Sequence, residues 1–262
     1  MDVACLQEVE QSSLSIITRN THLSESVSVF NGLSGDGSAI VFNPRKFQKQ
    51  EERFVRLSSL IDTYLPTLSS ASSPLDRALY RELSEKTSSV VSARLEFNQS
   101  SFILASSHLF WDPKYPDLKL LQAYLLSRHL NDLSSSTPMI LGVDLNSTPS
   151  NAAYQMIHRG EVDCLHAEHP VSFRKPGFWK GISIIPSLCS GSFESAYKHV
   201  NGLEPGATNW TVDFKECIDF IFTRNISARS VGGLPSLNHV ASLPNKDWPS
   251  DHLPLVAEFV VQ

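Results

Sequence analysis

Asp144 and Asn146 end a short apolar run, Met139 to Val143, that reads as a strand. Strand side chains alternate with period two, so the carboxylate and the amide share one face. Ser147 to Ser150 reads as a turn into a helix, with Ser150 a candidate cap. A carboxylate and an amide at a strand end, beside a helix start, is where α/β proteins commonly build a site. Taken alone, the segment reads equally well as an Asx turn closing a loop. Four further places repeat the pattern: Glu8, His108, Asp219 and the pair Asp251-His252 each end, follow or lie within an apolar run. If the strand ends converge, carboxylates gather with too few Lys or Arg among them, and they repel unless a cation sits between them. Oxygen donors suit Mg²⁺ or Mn²⁺ rather than zinc. Such an ion polarises a phosphoryl oxygen and stabilises a leaving oxyanion. Singly, each residue has a plainer explanation. His108 reads as a satisfied buried histidine, Asp219 as half of an ion pair, Asp251-His252 as a turn, and Phe214 as core.

The elements that must position these residues are a mixture of hairpins and helices. Asp2 to Leu6 reads as a strand, and Ser26 to Phe30 with Ser38 to Phe42 as a hairpin around Gly35-Asp36-Gly37. Arg45 to Arg56 is charged and mixed, and Leu65 to Pro74 reads as a flexible surface loop. Asp76 to Lys86 is helix-like, and Ser88 to Phe97 with Ser101 to Ser107 forms a second hairpin. Asp117 to Leu133 carries Leu118, Leu121, Tyr124 and Leu125 at helical spacing. A short helix, Asn151 to His158, follows the central strand, and 163 to 188 reads as a long functional loop. Phe193 to His199 reads as a short helix, Cys217 to Phe222 and Leu255 to Val261 as strands. The expected fold is α/β: a four-layer sandwich of two mixed sheets flanked by helices, within one domain over 1–262.

With 262 residues, of which 41% are hydrophobic and 19% charged, the chain is long enough for one large core. Its net charge of -5 excludes a protein that coats duplex nucleic acid through global attraction, so a nucleic acid substrate needs a local groove. Cys5, Cys164, Cys189 and Cys217 show no metal-binding spacing and read as free thiols of a reducing compartment. The first residues carry acids where a signal peptide carries bases, and no apolar run has the length of a membrane span. The Asn98, Asn146, Asn209 and Asn225 glycosylation triplets read as chance matches. The expected location is intracellular, in the cytoplasm.

Leu6-Gln7-Glu8-Val9, Ser107-His108-Leu109, Asp144-Leu145-Asn146-Ser147, Ile218-Asp219-Phe220-Ile221-Phe222 and Ser250-Asp251-His252 follow one another in that order. This ordered set resembles the endonuclease/exonuclease/phosphatase superfamily. Trp111-Asp112-Pro113, Asp117-Leu118-Lys119-Leu120 with Gln122, Thr208-Asn209 and Phe214-Lys215 resemble its deadenylase-like branch, of CCR4, nocturnin, Angel and 2′-phosphodiesterase type. The resemblance runs from residue 2 to about 260. It implies a Mg²⁺-dependent 3′-5′ exoribonuclease that shortens poly(A) and releases 5′-AMP, with single-stranded RNA as partner. By that resemblance Glu8 holds the metal, Asp144 orients or deprotonates the attacking water, and Asn146 braces the scissile phosphate. His252 bonds a phosphate oxygen with Asp251 fixing its ring, His108 contacts the phosphate, and Asp219 completes the network. Pro113, Asn209 and Phe214 match substrate-binding positions, with Trp111 as a wall. Two other implied readings are a phosphodiesterase or phosphatase acting on 2′,5′-oligoadenylate or another small phosphorylated molecule, and a weakened domain that binds RNA or protein without cutting. The resemblance also places a first strand, bearing an Asn, ahead of Asp2, so that strand is expected to be missing here. Gly142-Val143 replaces the usual Gly directly before the Asp, and Glu216 stands where Gly is usual.

Overall fold

The computed structural model describes residues 1–32, 35–71, 74–133, 136–174, 187–236 and 240–261. Two sheets face each other. The smaller is antiparallel, in the order β1 (Val3–Glu10), β3 (Asp36–Phe42), β2 (Glu25–Phe30). The larger has six strands: Glu194–Ser195, Asp219–Arg224, β7 (Met139–Asp144), β6 (Ser100–His108), β5 (Ser89–Phe97) and β4 (Gln48–Arg56). It is mixed, because β6 and β7 run parallel while the other pairs are antiparallel. That parallel pair needs a crossover, and the long helix Pro116–Leu133 supplies it.

Alternation in each strand assigns the layers. Ile140 and Leu104 join Val27, Ile40, Phe42, Val91 and Leu95 between the sheets. Met139, Leu141 and Val143, one residue out of phase on β7, pack outward on Leu118, Leu121, Leu125 and the helix Ala152–Arg159. On the far side, Ala39 and Val41 pack with Leu14 of α1 (Gln11–Asn20). Helix, sheet, sheet and helices make the four expected layers, with mixed strands confined to the larger sheet.

Two stretches differ from expectation. The charged run 45–56 contains β4, whose side chains are almost all exposed. Charge suits an edge strand, since it discourages pairing with another chain, and the charge masks the strand signal. Within 65–74, Pro66–Ser69 forms a helical turn that buries Leu68 in the outer core; residues 72 and 73 lie outside the described residues. Of the long loop 163–188, residues 175–186 lie outside the described residues. Its described part includes Arg174, which pairs with the fully buried Asp117 and with Glu82 2.8 Å away.

One close approach sets the spacing between the sheets at the end that matters. A Cβ at Gly142 of β7 would lie 2.6 Å from Cβ of Cys5 and 3.0 Å from its Sγ. Beside it, Gln7 Nε2 donates to Ser106 Oγ at 3.0 Å and to the Gly142 carbonyl at 3.3 Å, while Ser106 Oγ donates to the Leu6 carbonyl at 3.2 Å. Gly142→Ala must therefore push β1 away from β7. A loss of about 1–3 kcal/mol is expected in denaturant unfolding, the usual cost of overpacking a closed interface.

Candidate active site

The inner face of β7 reads Ile140, Gly142, Asp144: an apolar anchor, a gap for the other sheet, then a carboxylate at the mouth. Register does the rest. His108 on β6 and Asp219 on the opposite neighbour both pair directly with Asp144, so three candidate side chains stand in one row across three adjacent strands. His252 joins from the C-terminal segment, which bridges to Asn209. Its Nδ1 lies 2.8 Å from Asp219 Oδ2. Ligand atoms of Asp144, Asp219 and His252 all fall within 4.8 Å of one another.

Glu8 reaches this row because β1 breaks its alternation. Strict alternation would turn Val9 inward after Cys5 and Gln7. A bulge between Leu6 and Val9 instead sends Val9 outward with Ala4 and Leu6. Glu8 takes up a left-handed backbone at φ 53° there, which only a strained position asks of a glutamate. Its Oε1 lies 3.9 Å from His108 Nε2, on the exposed side of the row.

Asn146 also has positive φ, 48°, a conformation that Asn tolerates. Its N–H donates to Asp144 Oδ1 at 2.7 Å, closing an Asx turn. Its Nδ2 lies 2.9 Å from His108 Nε2 and donates to the Leu109 carbonyl at 3.0 Å. The plain reading of this segment as an Asx turn holds, and that turn aims the Asn146 amide at His108.

Charge in the row is unbalanced. Asp144 is only 6% exposed; burial, then the Asp219 carboxylate, pushes its carboxyl up to about 8. Burial opposes the charge on His252, but the Asp219 hydrogen bond and the Asp219, Asp144 and Asp251 carboxylates outweigh it and raise the ring to about 9. Burial lowers His108, against the pull of Glu8. A neutral His108 accepts from Asn146 Nδ2 through Nε2. A buried carboxyl pushed up beside a second carboxylate is the mark of a place that suits a cation. The donor set of Glu8, Asp144 and Asp219 oxygens with imidazole nitrogens fits a hard divalent ion.

Three expected roles change on this geometry. The carboxylate on the His252 ring is Asp219, not Asp251, since Asp219 stands in the strand row beneath the ring. Asp251 Oδ2 instead accepts from Asn209 Nδ2 at 3.3 Å. Asn209 is buried rather than open to substrate, and only its Oδ1 lacks a partner. Ser150 does not cap the helix Ala152–Arg159; the Glu168 carboxylate accepts from the Ala152 N–H, at 2.6 Å. Pro113 and Phe214 are exposed, Phe214 by 41% in the turn between Asn209–Trp210 and Lys215–Glu216.

Two residues lie in stretches that resemble the deadenylase-like branch but are given no role by it. Thr208 Oγ1, fully buried, accepts from the N–H groups of both Ile218 and Asp219 at 3.0 Å, pinning the start of the Asp219 strand. Lys119, buried in the long helix, donates from Nζ to the Asn146 carbonyl at 2.7 Å. Its signal was a lysine wedged between Leu118 and Leu120. Burial lowers its pKa, opposed by the carboxylates of Glu168, Asp112 and Asp144. Lys119→Met keeps the packing and releases the Asn146 turn. A ten- to hundredfold lower turnover is expected, on the scale of lost outer-shell support, with little change in thermal unfolding.

The profile of the Endonuclease/Exonuclease/phosphatase family matches residues 1–252. The "CCR4-Not complex 3′-5′-exoribonuclease subunit Ccr4" of Neosartorya fischeri is 25% identical over 328 aligned residues, covering 100% of this chain and 41% of that protein. The "Probable CCR4-Not complex 3′-5′-exoribonuclease subunit Ccr4" of Encephalitozoon cuniculi is 29% identical over 283, covering 99% of this chain and 53% of that protein. The chain thus spans about half the length of these curated relatives. Among solved structures, ANGEL2, a 2′,3′-cyclic phosphatase in complex with adenosine-2′,3′-vanadate, superposes with a TM-score of 0.75 at 22% identity over 98% of this chain and 81% of that one. The human Nocturnin catalytic domain with bound sulfate gives 0.66 at 19% identity over 100% and 81%. These relatives and neighbours are of the deadenylase-like branch that the motifs resemble. With its profile spanning nearly the whole sequence and its site residues in one strand row, the chain belongs to the endonuclease/exonuclease/phosphatase family.

Proposed function

We propose that this protein is a Mg²⁺-dependent phosphodiesterase that shortens single-stranded RNA from its 3′ end, with poly(A) favoured and 5′-AMP released. The observation that carries the reading is the row His108, Asp144, Asp219 with His252 hydrogen-bonded beneath it. The exoribonuclease names of the Ccr4 relatives support the substrate class. In its ionised form Asp144 takes the proton of the attacking water as the water oxygen bonds to phosphorus and the bond to the 3′ oxygen of the shortened chain breaks, that oxygen leaving to take up a proton from solvent. Asn146 and His108 hold the phosphate oxygens. His252, charged and held by Asp219, donates to a phosphate oxygen as negative charge grows there. A bound Mg²⁺, held by Glu8 with the inner carboxylates, would supply Lewis-acid polarisation of the phosphoryl oxygen. Phe214 and Pro113 receive the terminal base; stacking is worth roughly 1–3 kcal/mol per base.

Incubation with end-labelled oligo(A) and Mg²⁺ tests this directly. Stepwise shortening with AMP as product is expected, and none with EDTA. Full-length oligo(A) after prolonged incubation, alongside turnover of 2′,5′-oligoadenylate, would move the assignment to small phosphorylated substrates. Inertness towards both would leave a binding domain. No helix among the described residues is long and apolar enough to cross a membrane.

A further inference from the structure

A cavity of about 470 Å³ adjoins the row, with Glu8, His108, Lys86, Phe110 and Trp111 among its lining. The volume suits one nucleotide unit. Trp111 is 66% exposed, an unusual state for the largest aromatic side chain unless something covers it. It stands in the connection directly after β6, three residues from His108. Its ring lies beside that of Phe110, centroids 6.2 Å apart, and Tyr115 flanks Phe110 in turn. Lys86 Nζ rests 4.1 Å over the Phe110 ring and 5.7 Å from that of Tyr115. Among the described residues, aromatic faces rather than a carboxylate thus meet the ammonium, which leaves it open to a ligand's phosphate.

Asp36 and Glu85 also line the cavity. With Glu8 they make it a poor site for a free polyanion. They tolerate a ligand that brings one diester charge to Lys86 and spreads a flat, neutral ring on Trp111. We infer that this cavity is a second nucleotide subsite, which takes the base and phosphodiester on the other side of the scissile bond from the base received by Pro113 and Phe214. The inference rests on the nuclease reading above. Trp111 is its stacking platform and Lys86 its phosphate contact. The enzyme thereby favours chains over single nucleotides, because only a chain fills both subsites.

The test is binding, measured in an Asp144→Asn background so that RNA survives, with labelled oligoadenylate and with AMP as separate probes in Mg²⁺. Adding Trp111→Ala should weaken oligoadenylate about tenfold, the loss of one stacked base, and leave the Kd for AMP unchanged. Trp111→Phe should restore oligoadenylate binding to within about threefold. Lys86→Gln should flatten the salt dependence of oligoadenylate binding by about one phosphate contact. Equal loss for AMP and oligoadenylate, or no loss for either, overturns the subsite while leaving the nuclease reading intact. Failure of the Asp144→Asn protein itself to bind either probe overturns both.

Discussion

Asp144→Asn should remove at least about a thousandfold of the turnover of oligo(A) while the protein becomes no less stable. The two halves of that result come from the same burial. The carboxyl is buried, faces Asp219 across the strand pair, and pays for neither with a Lys or Arg of its own. An amide of the same shape keeps an Oδ1 to accept the Asn146 N–H, so the turn survives. It cannot take a proton from water, and it binds a cation less well than a carboxylate. An amide has no charge to bury beside Asp219, so the melting temperature should hold or rise. Single-turnover kinetics and thermal unfolding on one preparation check both halves. Turnover within tenfold of the parent would remove Asp144 from the chemistry.

The second large effect is expected from Asp219→Asn, and its signature lies in pH rather than in rate alone. His252 is raised from an ordinary 6.5 to about 9, so it is charged through the neutral range and discharges as pH rises through about 9. The pair's contribution to stability has the same sign. It is present in full below the ordinary value and is lost as pH climbs through the raised one. With Asn at 219 the ring keeps a neutral acceptor and loses the largest of the charges that raise it. The alkaline limb of the pH–rate profile should move towards neutrality, and turnover near pH 8 should fall about a hundredfold. A profile that keeps its alkaline limb in place would show that the charged His252 is not the group the rate depends on.

Much of this was legible in the sequence because chemistry and packing share one periodicity. Met139 to Asp144 alternates between two kinds of neighbour, and that alternation alone delivers Asp144 to the inner face at a strand end. The row with His108 and Asp219 follows from strand pairing that hairpins and a crossover helix impose. What could not be read was partner choice among similar carboxylates. The resemblance gave His252 the neighbouring Asp251, whereas the fold sets Asp219 2.8 Å from its Nδ1. The bulge that frees Glu8 was invisible too, since it depends on how β1 meets β3 and not on any residue that marks a bulge. β4 was hidden by its charges, which an edge needs and a pattern search reads as loop.

The contact between Gly142 and Cys5 has a practical consequence. Cys5 is half-buried against Gly142 and burial pushes its thiol up to about 12, so alkylating reagents meet a slow thiol while the sandwich is closed. An excursion that parts β1 from β7 would expose that sulfur further. Its modification rate is therefore a built-in clock for breathing motions of the enzyme, readable by mass spectrometry against the exposed Cys189 as internal standard.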